Sequence, residues 1–252
     1  FRDQGLVLRH YNLGEADRII VLFTRAHGLL RCVAKGVRRT RSRFGARLEP
    51  FTLIDVQIYP GRNLNTITEA VTVETFNARI VADYERYTAA ASVLEAVERL
   101  LGEEEQPNPQ LFDLTVGVMG ALSYGRRSPQ QMVDTYLLRA MAEAGWAPEL
   151  DKCAVCGAEG PHQAFHPAAG GVVCVKHRPP GSATPMAGVL EYLRSLRDAR
   201  WDRADSIAGD KKLGRRVQEE AHQLIVSHLQ WHTERKITAF DLAAEAERGH
   251  WR

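Results

Sequence analysis

At 252 residues, 44% hydrophobic and 25% charged, the chain is long enough for one large domain or two small ones, and its make-up excludes an intrinsically disordered polymer. No apolar run approaches the roughly 18 residues of a membrane span. Arg2–His10 carries charges where a signal peptide needs an apolar core, so a cytoplasmic protein is expected. The net charge of +2 hides an asymmetry: Lys35, Arg38, Arg39, Arg41, Arg43 and Arg47 fall together with no acid among them, leaving the rest of the chain at −4. A local basic patch on a mildly acidic body points to a polyanionic partner with a defined docking place.

The first 76 residues read as strands. Leu6–Leu8, Ile19–Phe23, Leu29–Ala34, Phe51–Tyr59 and Thr66–Val73 are short runs rich in β-branched and aromatic residues, separated by breakers such as His27-Gly28 and Pro60-Gly61-Arg62-Asn63. In the fourth run Thr52, Ile54, Val56 and Ile58 share the more apolar face. Five short strands with one long basic connection between the third and fourth predict a closed barrel of the OB type, since closure removes exposed sheet edges; an SH3-like barrel is the second reading. Cys32, in mid-strand, reads as a small core residue.

From Asn77 the period changes to about 3.6, and Ile80, Tyr84, Tyr87, Ala91, Leu94, Val97 and Leu101 line one helical stripe that ends near Gly102. A linker, Glu103–Pro109, precedes predicted helices at Gln110–Tyr124 and Pro129–Ala144, the latter with Ser128 as N-cap and Gly145 just beyond its end. Met186–Arg200 and Arg215–Glu234 follow a cysteine-rich insert, giving a bundle of about five helices by the same periodicity. The tail after Thr238 is weakly patterned. The expected architecture is therefore α+β and multidomain: an OB-type barrel over residues 1–78, then an α-helical domain over 79–252 carrying a zinc-knuckle insert at 150–180.

Three of the four cysteines cluster in that insert, where a disulfide would strand the third, so metal binding explains them better. Zinc takes four tetrahedral sulfur or nitrogen ligands, and two short knuckles each supply two. Cys153-Ala154-Val155-Cys156 is one knuckle and Cys174-Val175-Lys176-His177 the other, 17 residues apart. A sphere closed by Cys153, Cys156, Cys174 and His177 leaves no place for an activated water, so one structural ion per chain is expected. His162 and His166 are the alternatives for the fourth ligand.

The run Lys35–Arg47 joins two strands and mixes cations with Phe44, Thr40, Ser42 and glycines, the groups that bind phosphates, stack on bases and adapt to a backbone. Lys35, Arg38, Arg39, Arg41, Arg43 and Arg47 are the candidate DNA-binding residues; the alternative is a solvated loop or a dock for an acidic protein. No Gly-x-x-x-x-Gly-Lys-Ser/Thr, His-Glu-x-x-His or Gly-x-Ser-x-Gly occurs, so no catalytic residue is nominated. His222, His228 and His232 on the last predicted helix read as solvated histidines rather than half a metal site.

Leu13-Gly14-Glu15-Ala16-Asp17-Arg18-Ile19 followed by His27-Gly28, then Val33-Ala34-Lys35-Gly36-Val37-Arg38-Arg39 and Leu48-Glu49-Pro50-Phe51, resembles the N-terminal signature of the bacterial recombination mediator family RecO. The order of barrel, helices, zinc insert and helices matches over nearly the whole chain. Members of that family place four cysteines around the zinc, whereas this chain has His177 at the fourth position. The resemblance implies a non-enzymatic protein that binds single- and double-stranded DNA, anneals complementary strands, and works with RecR to load RecA onto DNA coated by single-strand-binding protein (SSB). It also implies binding of the SSB C-terminal tail and a cytoplasmic, nucleoid-associated location.

Overall fold

The five β-branched runs become five strands in a computed structural model that describes residues 1–102 and 106–233. β1 (Arg2–Leu13), β2 (Asp17–Thr24), β3 (Gly28–Ala34), β4 (Thr52–Tyr59) and β5 (Asn65–Thr75) close into a barrel in the order β1-β2-β3-β5-β4. Four seams are antiparallel; the one between β3 and β5 is parallel and only two pairs long, Cys32 with Asn65 and Val33 with Thr66. This is the OB arrangement.

Alternation along each strand sends one set of side chains inward. Thr52, Ile54, Val56 and Ile58 of β4 are buried as the sequence predicts, and the last three meet Val7, Ile20, Leu22, Leu30, Cys32, Ile67 and Ala70 in a single core. Phe51 lies outside the strand in the left-handed region (φ 64°), with its amide bonded to the Val7 carbonyl at 3.1 Å. A bulge in the β4–β5 register, where Leu53 faces Glu74 but Ile54 faces Thr72, leaves Val73 unpaired.

Residues Phe1–Pro129 form one compact unit, in which the barrel is followed by α1 (Asn77–Ile80), α2 (Tyr84–Leu101) and α3 (Pro109–Tyr124). The single stripe predicted from Ile80 to Leu101 is broken at Asp83, which is extended and caps α2 by accepting the Arg86 N–H. Ile80, Leu94 and Val97 of that stripe are buried as predicted, but Tyr84 and Tyr87 are 61% and 45% exposed, and Ala89, Ala90, Val93 and Ala96 complete the buried face. Asn108 caps α3 with Pro109 at its first position, as helix-start chemistry favours.

The second unit begins at Gln130. It contains most of α4 (Pro129–Glu143), whose end is closed by a Schellman motif with Trp146 N–H on the Met141 carbonyl and Gly145 N–H on Ala142. A two-stranded ribbon, β6 (Ala164–His166) and β7 (Gly171–Val173), lies within the insert. Gly171, at φ 141°, is required there, since a Cβ would stand 2.2 Å from the Glu149 carbonyl oxygen. The helix predicted over Met186–Arg200 is shorter, α5 (Val189–Arg197), because Ala199 turns left-handed at φ 54°; a further helix, α6 (Trp201–Ala208), follows it. Trp201, Ala204, Ile207 and Ala208 of α6 do recur at helical spacing, but over only two turns and with Ala204 alone fully buried, too short a pattern to stand out. α7 (Gly214–Thr233) matches the last predicted helix as far as the described residues reach; the tail after Thr238 lies outside them.

The histidines of α7 are not simply solvated. His228 belongs to the buried stripe Val217, Ala221, Leu224, Ile225 and is fully enclosed, its Nε2 3.0 Å from the Trp146 carbonyl oxygen and its ring edge-on to Phe165. His222 Nδ1 lies 2.7 Å from Oδ1 of Asp134, an acid with no exposed surface. Burial pushes the His228 imidazole down to about 4, despite the Trp146 carbonyl, and His232 adds to the effect. An unfolded histidine takes up its proton near pH 6.5, so between there and about pH 4 the unfolded chain binds more protons and stability must fall as pH falls. Denaturation series from pH 7 to 4.5 should therefore lose a pH slope of up to about 1.4 kcal/mol per unit in His228→Leu; an unchanged slope would contradict a neutral His228.

Candidate nucleic-acid interface and metal centre

The two knuckles come together in the second unit. One ligand atom from each of Cys153, Cys156, Cys174 and His177 lies within 4.8 Å of the others, and among the described residues this is the one such group of three or more metal-ligating side chains. Cys156 Sγ is 4.0 Å from Cys174 Sγ, and Cys174 Sγ is 3.2 Å from His177 Nδ1. The edges of a tetrahedron built on metal–sulfur bonds of about 2.3 Å measure about 3.8 Å, so these separations fit a four-coordinate ion. Gly157 (φ 69°) completes the first knuckle, its N–H on the Cys153 carbonyl at 2.8 Å, and a single turn of 3-10 helix, Val175–His177, completes the second.

The local backbone also favours thiolates. The Cys174 N–H points at Cys153 Sγ from 3.4 Å, and this donor, with those of Cys156 and Val155 and against burial, brings the Cys153 thiol down to about 6. Cys156 receives the Ala158 N–H but is held up overall by its thiol neighbours Cys153 and Cys174 and by desolvation. A second and third thiolate beside the first require a cation to offset their repulsion. The donor set, three soft sulfurs and one imidazole, suits a borderline-soft divalent ion.

Of the alternative histidines, His162 is turned to the Ala158 carbonyl oxygen at 2.8 Å and His166 is outside the group. The insert around the site has only a small core of its own, Cys153, Ala164 and Val173 with Ala169 and Cys174 against it.

The basic loop belongs to the first unit. Val37, Phe44 and Leu48 turn into the barrel core with exposures of 8%, 1% and 1%, while Lys35, Arg38, Arg39, Arg41, Arg43 and Arg47 between and beside them all face solvent. Among the described residues none of the six has a carboxylate within 4 Å. The acids nearest in the chain are engaged elsewhere: Asp17 accepts the Gly36 N–H at 2.7 Å, and Glu49 pairs with Arg18 at 2.8 Å and His10 at 3.1 Å. The loop is not a floppy tether. Arg38 N–H bonds the Ala16 carbonyl, its guanidinium reaches Gly14, Arg47 donates to the Arg43 carbonyl at 2.7 Å, and Arg43 lies over the Phe44 ring.

Arg43 and Arg47 overhang a groove whose floor is Thr52, Thr72 and Thr75. Thr72 and Thr75 share it although they are three apart, because the bulge at Val73 reverses the alternation of β5. A second concavity at the barrel rim is lined by Arg31 and Arg62 together with Gly61, Asn63 and Asn65. The threonine floor and Arg31 escape sequence reasoning; the one signal for Arg31 is its outward parity in an otherwise apolar strand.

The family model described as Recombination protein O N terminal matches residues 1–76, and that described as Recombination protein O C terminal matches residues 81–239. The chain belongs to the recombination protein O family. This family of recombination mediators serves DNA repair, and the barrel and the Cys/His cluster fit the OB fold and metal binding expected of it. Among the described residues no helix is long and apolar enough to cross a membrane.

Two outcomes follow from this geometry. Cys153→Ser or Cys174→Ser should lower the metal content of the purified chain, read by elemental mass spectrometry, and its melting temperature; full metal retention in both would refute the site. Phe44→Ala should cost about 3–5 kcal/mol in denaturant unfolding by emptying the end of the barrel and releasing the loop, and a cost under about 1 kcal/mol would mean that Phe44 is no anchor.

Proposed function

We propose that this chain is a DNA-binding recombination mediator that binds single- and double-stranded DNA, anneals complementary strands and, with RecR, helps to load RecA onto SSB-coated DNA. The observation that carries this reading is the basic loop: six exposed cations without acid partners, held on a barrel by three buried apolar residues, above a polar groove. Such a surface neutralises phosphates along a strand and carries no base code, so affinity is salt-dependent and tolerant of sequence. Lys35, Arg38, Arg39, Arg41, Arg43 and Arg47 are the assigned contacts, with the barrel through residue 78 as the nucleic-acid-binding domain.

Annealing on this reading is a proximity effect and needs no covalent chemistry. Neutralising the phosphates of one strand lowers its repulsion of a second, and holding both raises their effective concentration. The helical region from residue 79 supplies the protein contacts, among them RecR and the acidic C-terminal tail of SSB, and the protein works in the bacterial cytoplasm at the nucleoid. It is not an enzyme.

Cys153, Cys156, Cys174 and His177 hold one structural Zn²⁺ on this reading. The ion supplies folding free energy to the insert at residues 150–180, whose own core is small, and takes part in no reaction step.

A second reading, a scaffold that docks acidic proteins through the same loop, draws on the same cations. Fluorescence anisotropy of a labelled single-stranded oligonucleotide, titrated at several salt concentrations, separates the two. Arg39→Ala with Arg41→Ala should weaken binding and flatten the log–log salt slope by about 1.4, as the loss of two phosphate contacts to single strands requires. Unchanged affinity in the double variant, with loss of an acidic protein partner instead, would favour the scaffold.

A further inference from the structure

A second group of cations lies on the barrel itself, where β5 begins. Arg31 and Arg62 line the rim concavity with Asn63 and Asn65; both arginines are exposed, and among the described residues neither has a carboxylate within 4 Å. The loop that carries Arg62 is tightly closed, since a Cβ on Gly61 would stand 2.1 Å from the Leu64 carbonyl oxygen. Asn65 Oδ1 accepts the Gly61 N–H at 3.4 Å, which leaves Nδ2 as its donor.

An aromatic ring stands on the same sheet. Tyr59, the last residue of β4, is 68% exposed, and among the described residues no guanidinium lies over its ring, in contrast to Tyr11 and Tyr124. Residues paired directly across two strands share a face of the sheet. Tyr59 pairs with Thr66 of β5, and Thr66 pairs with Val33 of β3, so the three form one outward row about 10 Å wide. The exposed Arg31 and Lys35 flank Val33, two residues to either side, while Leu30, Cys32 and Ala34 turn into the core.

A bare ring in water stabilises nothing by burial, and two guanidiniums held at one concavity without acids repel each other. A ligand with a flat π face and an anionic group close by resolves both. We propose that Arg31 and Arg62 clamp a backbone phosphate and Tyr59 stacks on a neighbouring base, which makes the outward face of β3, β5 and β4 a second subsite for single-stranded nucleic acid. The proposal rests on the nucleic-acid reading above and adds three contacts to the six of the basic loop.

Continuity and local charge favour nucleic acid over an acidic peptide. Lys35 is the first residue of the basic loop and also flanks this row, so a strand held by the loop meets Arg31 next if it continues along β3. Lys35 and Arg31 are about 13 Å apart along the strand, too far to share one phosphate. Glu69, the first acid along β5, lies opposite Gln57 and is paired with Arg2 at 3.4 Å. A peptide carboxylate answers the guanidiniums alone, whereas each nucleotide brings a phosphate and a π face together.

The test uses the full chain with two labelled strands, an oligothymidylate of about 12 nucleotides and a sugar–phosphate strand of the same length without bases. Tyr59→Ala should weaken binding of the oligothymidylate by about fivefold or more and leave the abasic strand unchanged, while Tyr59→Phe should bind both like wild type. Arg31→Ala with Arg62→Ala should weaken both strands and flatten the log–log salt slope by about 1.4. All three side chains are exposed, so an unchanged melting temperature verifies that each variant is folded. Wild-type affinity of Tyr59→Ala for the oligothymidylate, an equal loss on the abasic strand, or an unchanged salt slope in the arginine variant would overturn the subsite. If that happens while Arg39→Ala/Arg41→Ala still weakens binding, the mediator reading stands without it. If the wild-type chain binds neither strand, both fall, and loss of a labelled acidic peptide alone in the arginine variant would assign the concavity to a protein partner and overturn the proposal.

Discussion

The display of the basic loop on the barrel depends on the insertion of Val37, Phe44 and Leu48 into the barrel core. Six like charges in a short connection repel one another, and left to itself such a segment extends into water. Burying each of the three apolar side chains contributes about 1.5–3 kcal/mol, enough to hold the loop against that repulsion. The same insertion fills the end of the barrel, so the barrel core and the display of its cations rest on the same side chains. Because the anchors alternate with the cations, the loop is pinned at several points and its charges are spread over a surface instead of gathered on a tip.

The Cys/His cluster answers a different problem. The insert must hold an ordered shape around Cys153, Ala164 and Val173, too little apolar surface for independent stability. Four donors converge there from two knuckles, and an ion held by them, as proposed above, would replace that missing core with coordination. Phe165, lying edge-on to His228, then seats the ribbon of the insert on α7, so the neutral imidazole takes part in packing as a flat apolar ring with one polar contact.

The barrel was legible in the sequence because β-branched runs with turn residues between them have few other uses, and the inward face of β4 could be read residue by residue. The gathering of Cys153, Cys156, Cys174 and His177 was legible in kind, through knuckle spacing. The choice of His177 over His162 and His166 depended on where the chain actually turns: the Val175–His177 turn brings its Nδ1 beside Cys174 Sγ, while His162 is spent on a carbonyl. Residues whose role depends on an irregularity were not legible. Thr72 and Thr75 share a groove only because of the bulge at Val73, and nothing in their spacing announces it. Tyr84 and Tyr87 misled by looking like core on a helical period, and α6 stayed hidden because its own period, Trp201, Ala204, Ile207 and Ala208, lasts only two turns.

The parallel seam between β3 and β5 is two pairs long, against eight for the neighbouring β4–β5 ladder. A closed barrel whose staves are so unequally fastened has a built-in hinge line: local opening there breaks few hydrogen bonds, whereas opening elsewhere breaks many. The basic loop leaves the barrel at Ala34, directly beyond Val33 in that seam. Its root can thus swing on the least fastened edge of the cylinder while the other seams stay shut. Compliance in the barrel is thereby concentrated at the one edge where the basic loop begins, and the longer ladders keep the rest of the cylinder closed.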